Sequence, residues 1–177
     1  CMAIDRQKTE TVHWHAVFTA SRAEKKVRDR LEELGVECFL PVQTVLRQWT
    51  YRKSRVVVPV IAGLVFVRVG RQEQVKVLQT KGVVAFLRLK GEAGAAVIPD
   101  KQMEDFRFLL DFSEEAVEMT NENIKAGDLV RVVKGSLRGM EGELIRHKGV
   151  TKVLVRIDML GCAMVNIPAS FVEKLNK

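Results

Sequence analysis

Apolar and polar positions along this chain recur with two different periods, and the switches between them mark out short elements. His13 to Ala20 is apolar and β-rich around Trp14, Val17 and Phe18, which predicts a strand. Ser21-Arg22-Ala23-Glu24 then has the form of a capping box, in which Ser21 and Glu24 satisfy each other's free amides. Behind it Ala23, Val27, Leu31 and Leu34 fall on one helical face, with Arg22, Lys25, Arg28, Asp29 and Glu32 elsewhere. Gly35 is the natural stop for that helix. Val36 to Trp49 reads as extended, with Pro41 marking an irregularity. The charged tip Arg52-Lys53-Ser54-Arg55 turns the chain into a second long strand, Val56 to Val69, so the two make a hairpin.

Gln72 to Leu78 predicts a short helix ended by Gly82, and Val83 to Leu89 alternates as another strand. After a Gly91–Gly94 turn, Pro99-Asp100 opens a helix to about Asp111, with Met103, Phe106, Phe108 and Leu110 as its bulky apolar residues. This order predicts an α+β N-terminal domain over 12–111, an antiparallel sheet flanked by helices. Residues 112–123 lack periodicity and read as a linker.

The pattern over 124–177 is all-β. Leu129 to Val133 alternates, Lys134 to Gly139 is a basic turn with a glycine near each end, and Glu143 to Ile145 begins the next strand. Lys152 to Ile157, a Met159–Cys162 turn, Ala163 to Ile167 and Phe171 to Leu175 follow, which predicts a small barrel. Two β-branched runs, at 129–133 and 153–157, lose side-chain freedom in helices. Gly135, Gly139 and Gly142 would each cost a helix up to about 1 kcal/mol. The block is therefore expected to be constitutively β.

Charge changes this picture more than composition does. The 177 residues are 47% apolar and 29% charged, which is globular. Residues 1–111 hold 19 Lys and Arg against 13 Asp and Glu, 112–123 hold four Glu and no cation, and 124–177 hold 10 cations against 5 carboxylates. Two basic blocks around an acidic connector suit two modules that approach a polyanion.

Cys38 and Cys162 have no CxxC spacing, and Cys1 stands directly before Met2, where a natural start is expected. Residues 1–11 are read as a disordered or non-native tail. The unpatterned thiols argue for a reducing compartment and against a disulfide framework or zinc site. Val56 to Val67, the longest apolar stretch, is short and broken by Pro59 and Gly63, so no membrane contact is expected. The expectation is a cytoplasmic monomer. No catalytic motif or cofactor-binding pattern stands out, so no enzyme, cofactor or metal is expected. His13 and His15 flank Trp14 on one strand face and read as partly exposed strand residues.

The glycine-punctuated run Gly127-Asp128 through Gly135, Gly139 and Gly142 resembles the KOW motif of the NusG transcription-factor family. Residues 12 to 175 as a whole look like a bacterial NusG-type factor, an NGN domain followed by a KOW-bearing SH3-like barrel. The N-terminal resemblance rests on Trp14, the helix from Ser21, Phe39-Leu40-Pro41, Gly63-Leu64-Val65-Phe66-Val67 and Thr80-Lys81-Gly82-Val83 with Phe86. The closing Phe171-Val172-Glu173-Lys174-Leu175 completes it at the C-terminus. The short chain and basic hairpin are more like specialised antiterminator paralogues, such as RfaH-like and capsular-polysaccharide operon regulators. Where the family often has Phe-Pro-Gly-Tyr, this chain reads Ile61-Ala62-Gly63-Leu64.

The resemblance implies a transcription elongation and antitermination factor without catalytic activity. Phe18, Leu64, Phe66 and Phe86 would bind RNA polymerase as an apolar surface patch. Lys25, Lys26, Arg30, Arg47, Arg52, Lys53 and Arg55 would contact the non-template DNA strand, with Trp49 and Tyr51 able to stack an unpaired base. Lys134, Ser136, Leu137 and Arg138 would recruit a further partner through the barrel: ribosome, termination factor or RNA. The competing reading is a KOW-containing RNA-binding or ribosome-associated protein with no polymerase contact.

Overall fold

The computed structural model describes residues 11–48, 50–92 and 94–175, without the side chains of Val45 and Arg47. The tail reading for 1–11 lies outside them except at Thr11. In chain order the first elements are β1 (His13–Thr19), α1 (Glu24–Glu33), β2 (Glu37–Phe39), β3 (Val42–Gln48), β4 (Lys53–Pro59), β5 (Leu64–Val69), α2 (Glu73–Gln79) and β6 (Val83–Phe86). Then come α3 (Asp100–Phe112), β7 (Glu118–Thr120), β8 (Asp128–Val132), β9 (Glu141–His147), β10 (Val150–Ile157), β11 (Gly161–Asn166) and β12 (Val172–Lys174). The fold is an α+β N-terminal part followed by an all-β part, built from antiparallel pairs throughout.

The described residues form two compact units, one within 11–40 and 62–99, the other within 41–61 and 100–175. In the first, four strands run in the order β2-β5-β1-β6. Directly opposed residues of an antiparallel pair share a face, so the register sorts the side chains. Phe18 lies opposite Leu64, Ala16 opposite Phe66, and Phe66 opposite Phe39. The other face carries His15 with Val67, Val67 with Cys38, and Val17 with both Val65 and Phe86. Helix α1 covers this second face: the Cys38 thiol donates to the Arg28 carbonyl at 3.6 Å, and Val27 and Leu31 are fully buried. Burial pushes that thiol up to about 11, so it stays protonated.

Helix α1 ends as its sequence foretells. Val36 N–H donates to the Leu31 carbonyl and Gly35 N–H to Glu32, the paired bonds of a Schellman cap. Its start differs from expectation. Residue Ala23 is the N-cap, no side chain caps the helix, and the capping box does not form. Glu24 is instead buried, and its carboxylate accepts the Gly63 N–H at 2.9 Å. A charge-assisted bond to a distant amide outweighs a local cap on an exposed turn.

The expected long strand Val56–Val69 is broken. Residues 60–63 separate β4, paired with β3 in a two-stranded ribbon, from β5 in the four-stranded sheet. Gln48 already pairs with Lys53, so the described tip of the ribbon is Thr50–Arg52.

The second unit contains a six-stranded antiparallel sheet, β12-β8-β9-β10-β11-β7. Ile145, Leu154, Cys162 and Met164 form an apolar cluster with Ile124 against it. The described residues of 124–175 contain no α-helix, as their β-branched runs demand. Within the stretch read as a linker, β7 adds to the edge of β11. A three-residue strand has no period to recognise in sequence. On α3 the buried residues are Met103, Phe106 and Leu109, where the pattern had singled out Phe108 and Leu110.

His15 also differs from its reading. It is 3% exposed, its Nδ1 donates to the Ala96 carbonyl at 2.8 Å, and its ring meets Phe86 edge-on. Burial holds its pKa below the ordinary value, the Ala96 bond opposing that shift only in part.

Two outcomes follow from these contacts. Glu24→Ala strands the Gly63 amide and should cost about 1–3 kcal/mol in urea unfolding, whereas loss of an exposed capping residue typically costs ~1 kcal/mol. An unchanged urea midpoint would show the bond to be inconsequential. Because folded His15 resists protonation, its contribution to stability is present above the ordinary histidine pKa of about 6.5. It is lost as pH falls from there through the depressed folded value. His15→Gln should flatten the pH dependence of the unfolding midpoint between about pH 7 and 5. Equal slopes in both proteins would place the imidazole in water.

Candidate functional site

Three surfaces carry the residues singled out by sequence. The first is the four-stranded sheet. Phe18 is 40% exposed, but Leu64, Phe66 and Phe86 are buried. β5 lies between β2 and β1, and the burial of consecutive residues along it shows that both of its faces are covered. Phe66 stacks on Phe39 with ring centroids 6.2 Å apart. Phe86, being opposite Val17, points to the other face of the sheet from Phe18 and packs on His15. The expected four-residue surface patch therefore does not exist as such. Phe18 alone is presented, with Leu64 and Phe66 as the layer beside and behind it.

The second surface is basic. Lys25 and Lys26 are exposed on α1. Arg30 is half-buried, and its Nη1 donates to the Lys81 carbonyl at 2.6 Å, which ties α1 to the turn before β6. Its guanidinium is thus already committed to the fold. Arg52, Lys53 and Arg55 are exposed on the ribbon, and none of the three forms an ion pair among the described residues. Arg47 pairs with Ser54 in the ladder, but its side chain and all of Trp49 lie outside the described residues.

Ribbon register explains this exposure. Thr44 opposes Val57, Leu46 opposes Arg55, and Gln48 opposes Lys53, and all six are exposed, so this ribbon face is open from Thr44 to Gln48, with Val42 and Pro59 at its base half-buried. Tyr51 at the tip is 97% exposed. On the other face Gln43 anchors the base: its Oε1 accepts Val117 N–H at 3.0 Å and its Nε2 donates to Val117 O at 3.3 Å. Residues 41–61 contain no Asp or Glu, so nothing within the ribbon neutralises its cations.

The third surface is the turn between β8 and β9. Lys134, Ser136 and Arg138 are exposed, but Leu137 is buried at 6% exposure. Leu137 plugs the turn, with its carbonyl accepting Met140 N–H at 3.0 Å, so it presents no contact surface. Beside it lies a cavity of about 210 Å³ lined by Lys134, Leu137, Ile167, Phe171, Glu114 and Glu115.

No group of three or more His, Cys, Asp or Glu with metal-holding geometry occurs among the described residues. No helix among them is long and apolar enough to cross a membrane. These surfaces present an apolar knob, a ribbon with cations and no carboxylate of its own, and a cationic turn.

Residues 12–107 match the family described as NusG, "Transcription termination factor nusG". No curated protein sequence matches the chain. Among solved structures, "Domain interaction in Thermotoga maritima NusG" is 23% identical, covers 93% of this chain and 98% of that chain, and superposes with a TM-score of 0.49. "Crystal Structure of MjSpt4:Spt5 complex conformation B" is 17% identical over 93% of this chain and 97% of that one, with a TM-score of 0.30. The family match covers more than half of the sequence and does not depend on the structural likenesses.

Proposed function

The chain belongs to the NusG family of transcription factors, and from that premise we propose that it is an elongation and antitermination factor acting without catalysis in the cytoplasm. It binds RNA polymerase and the exposed non-template DNA strand, and so suppresses pausing or termination. Functional modules at 12–111 and 124–177, joined by 112–123, divide the work. The specialised-paralogue reading rests on the basic hairpin.

One observation carries this reading furthest: the ribbon offers an open face and tip with three exposed cations and no carboxylate. Such a surface binds a phosphate backbone through counterion release, which gives affinity without sequence information. Tyr51 supplies an exposed ring on which an unpaired base can stack. Lys25 and Lys26 add a second basic strip. Phe18 is the exposed apolar contact for polymerase, with Leu64 and Phe66 shaping the sheet behind it. By holding polymerase and the displaced strand together, binding energy biases the complex away from its paused conformation. Lys134, Ser136 and Arg138 present the all-β part to its own partner, a ribosome, termination factor or RNA.

Reversing charge at Arg52, Lys53 and Arg55 together should weaken association with single-stranded DNA and reduce the slope of log K against log salt by about 2, at ~0.7 per lost phosphate contact. Polymerase binding should change little. An unchanged slope would show that the ribbon is merely solvated. Phe18→Asp should reduce polymerase capture at least ten-fold with a native circular dichroism spectrum. Phe66→Asp, by contrast, should unfold the sheet because it buries an unpaired charge. A Phe18→Asp protein that captures polymerase normally would remove this face from the interface. Capture of ribosomal RNA without polymerase by the unaltered protein would favour the ribosome-associated alternative.

A further inference from the structure

Strand β7 joins its sheet through a short ladder supplemented by charge, and Val117 just before it is tied to Gln43. Its ladder with β11 comprises only Glu118–Met164, Met119–Ala163 and Thr120–Cys162. On its inner side β11 pairs with β10 over all six residues from Gly161 to Asn166. The outer edge at Val165 and Asn166 is thus without a strand partner among the described residues. At the other end Gly161 permits the approach, since a Cβ there would run into the Thr120 carbonyl.

The charges are arranged to match. Lys152 Nζ lies 2.8 Å from Glu118 Oε2, with the lysine side chain 7% exposed and the carboxylate 53% exposed. The carboxylate caps an ammonium that would otherwise be buried unpaired, a costly state. His147 Nε2 lies 3.2 Å from Glu122 Oε2, four residues further along the same segment. His147 and Lys148 also face Glu118, whose pKa is lowered chiefly by the Lys152 hydrogen bond. The β9–β10 hairpin therefore offers a rail of two lysines, Lys152 and Lys148, with the His147 imidazole, beside a short-paired strand edge.

We propose that the outer edge of β11 and this rail form a binding site for an extended segment carrying two carboxylates four residues apart, and that residues 118–122 occupy it as an internal ligand. A partner of that chemistry adds a strand to the sheet and replaces both Glu118 and Glu122. Because Lys152 needs a carboxylate over it, a strand without one is rejected, which makes the rail the source of specificity. This inference is independent of nucleic-acid binding by the ribbon, which lies on other residues.

The test uses the full chain and a blocked, fluorescent peptide copying residues 116–124. The Glu118→Gln/Glu122→Gln protein, with its strap loosened, should bind the peptide at least ten-fold more tightly than the parent. A peptide with Gln at both acidic positions should show no such gain, and adding Lys152→Met to the protein should abolish it. Amide hydrogen exchange should accelerate at 118–120 while β9 and β10 stay protected. If β9 and β10 lose protection as well, the exposed single change Glu122→Gln serves instead, with at least a three-fold gain expected. Equal peptide affinity for parent and variant, or equal binding of the acidic and Gln peptides, would overturn the proposal.

Discussion

The turn that leads into β5 depends on Gly63. Its N–H is donated to Glu24 and its carbonyl accepts the Thr19 N–H, both at 2.9 Å. At φ +72 it occupies the left-handed region that favours glycine, although a Cβ there would meet nothing closer than Thr19 O at 3.8 Å. Conformation, not room, requires the residue. Without this break, the β-branched run from Val56 onward would favour one continuous strand, and the open ribbon face would be lost into a longer pairing. A buried carboxylate at the start of α1 thus helps decide where β5 begins.

The all-β part has a comparable anchor in Glu143 and Arg156. The guanidinium Nε lies 2.6 Å from Glu143 Oε2, and its Nη2 donates to Glu143 Oε1 at 3.1 Å and to the Ile124 carbonyl at 2.7 Å. Glu143 Oε1 also accepts the Gly127 N–H. Each partner of the pair therefore satisfies a backbone group of residues 124–127, which seats the chain entering β8. A bidentate pair with its remaining valences filled is the form in which a partly buried ion pair holds geometry best. Ile124 is thereby kept against the cluster of Ile145, Leu154, Cys162 and Met164.

Sequence periodicity revealed what local forces specify. Helix α1, its end at Gly35 and the strands β1, β8 and β10 follow from spacing and β-branching alone. Most of the misreadings involve distant partners. Glu24 had the spacing of a cap, but its partner is 39 residues away. The family resemblance grouped Phe18, Leu64, Phe66 and Phe86 as one exposed patch, yet neither it nor periodicity carries information on which side chains the folded sheet covers. The same limit hid the burial of His15 and the opposite orientation of Phe86. Arg30 and Leu137 looked like surface groups because helix-face and turn composition do not register Lys81 O or the interior of a turn. Strand β7 depends on Lys152, 34 residues later. The open ribbon face was legible as a basic hairpin, but only the pairing of Leu46 with Arg55 and Gln48 with Lys53 shows which side is free.

Ribbon length has a consequence for how this protein can change over time. A seven-residue strand extends about 23 Å at ~3.3 Å per residue. The ribbon base is fixed by Val60 N–H donating to Pro41 O and by Gln43 on Val117. Measured along β4, the cations near the tip stand more than one Debye length, about 8 Å at physiological salt, from that anchorage. Their field is screened before it reaches the bonds that hold the ribbon in place. Charge at the tip is therefore an adjustable dial, free to change sign or number with little penalty to folding.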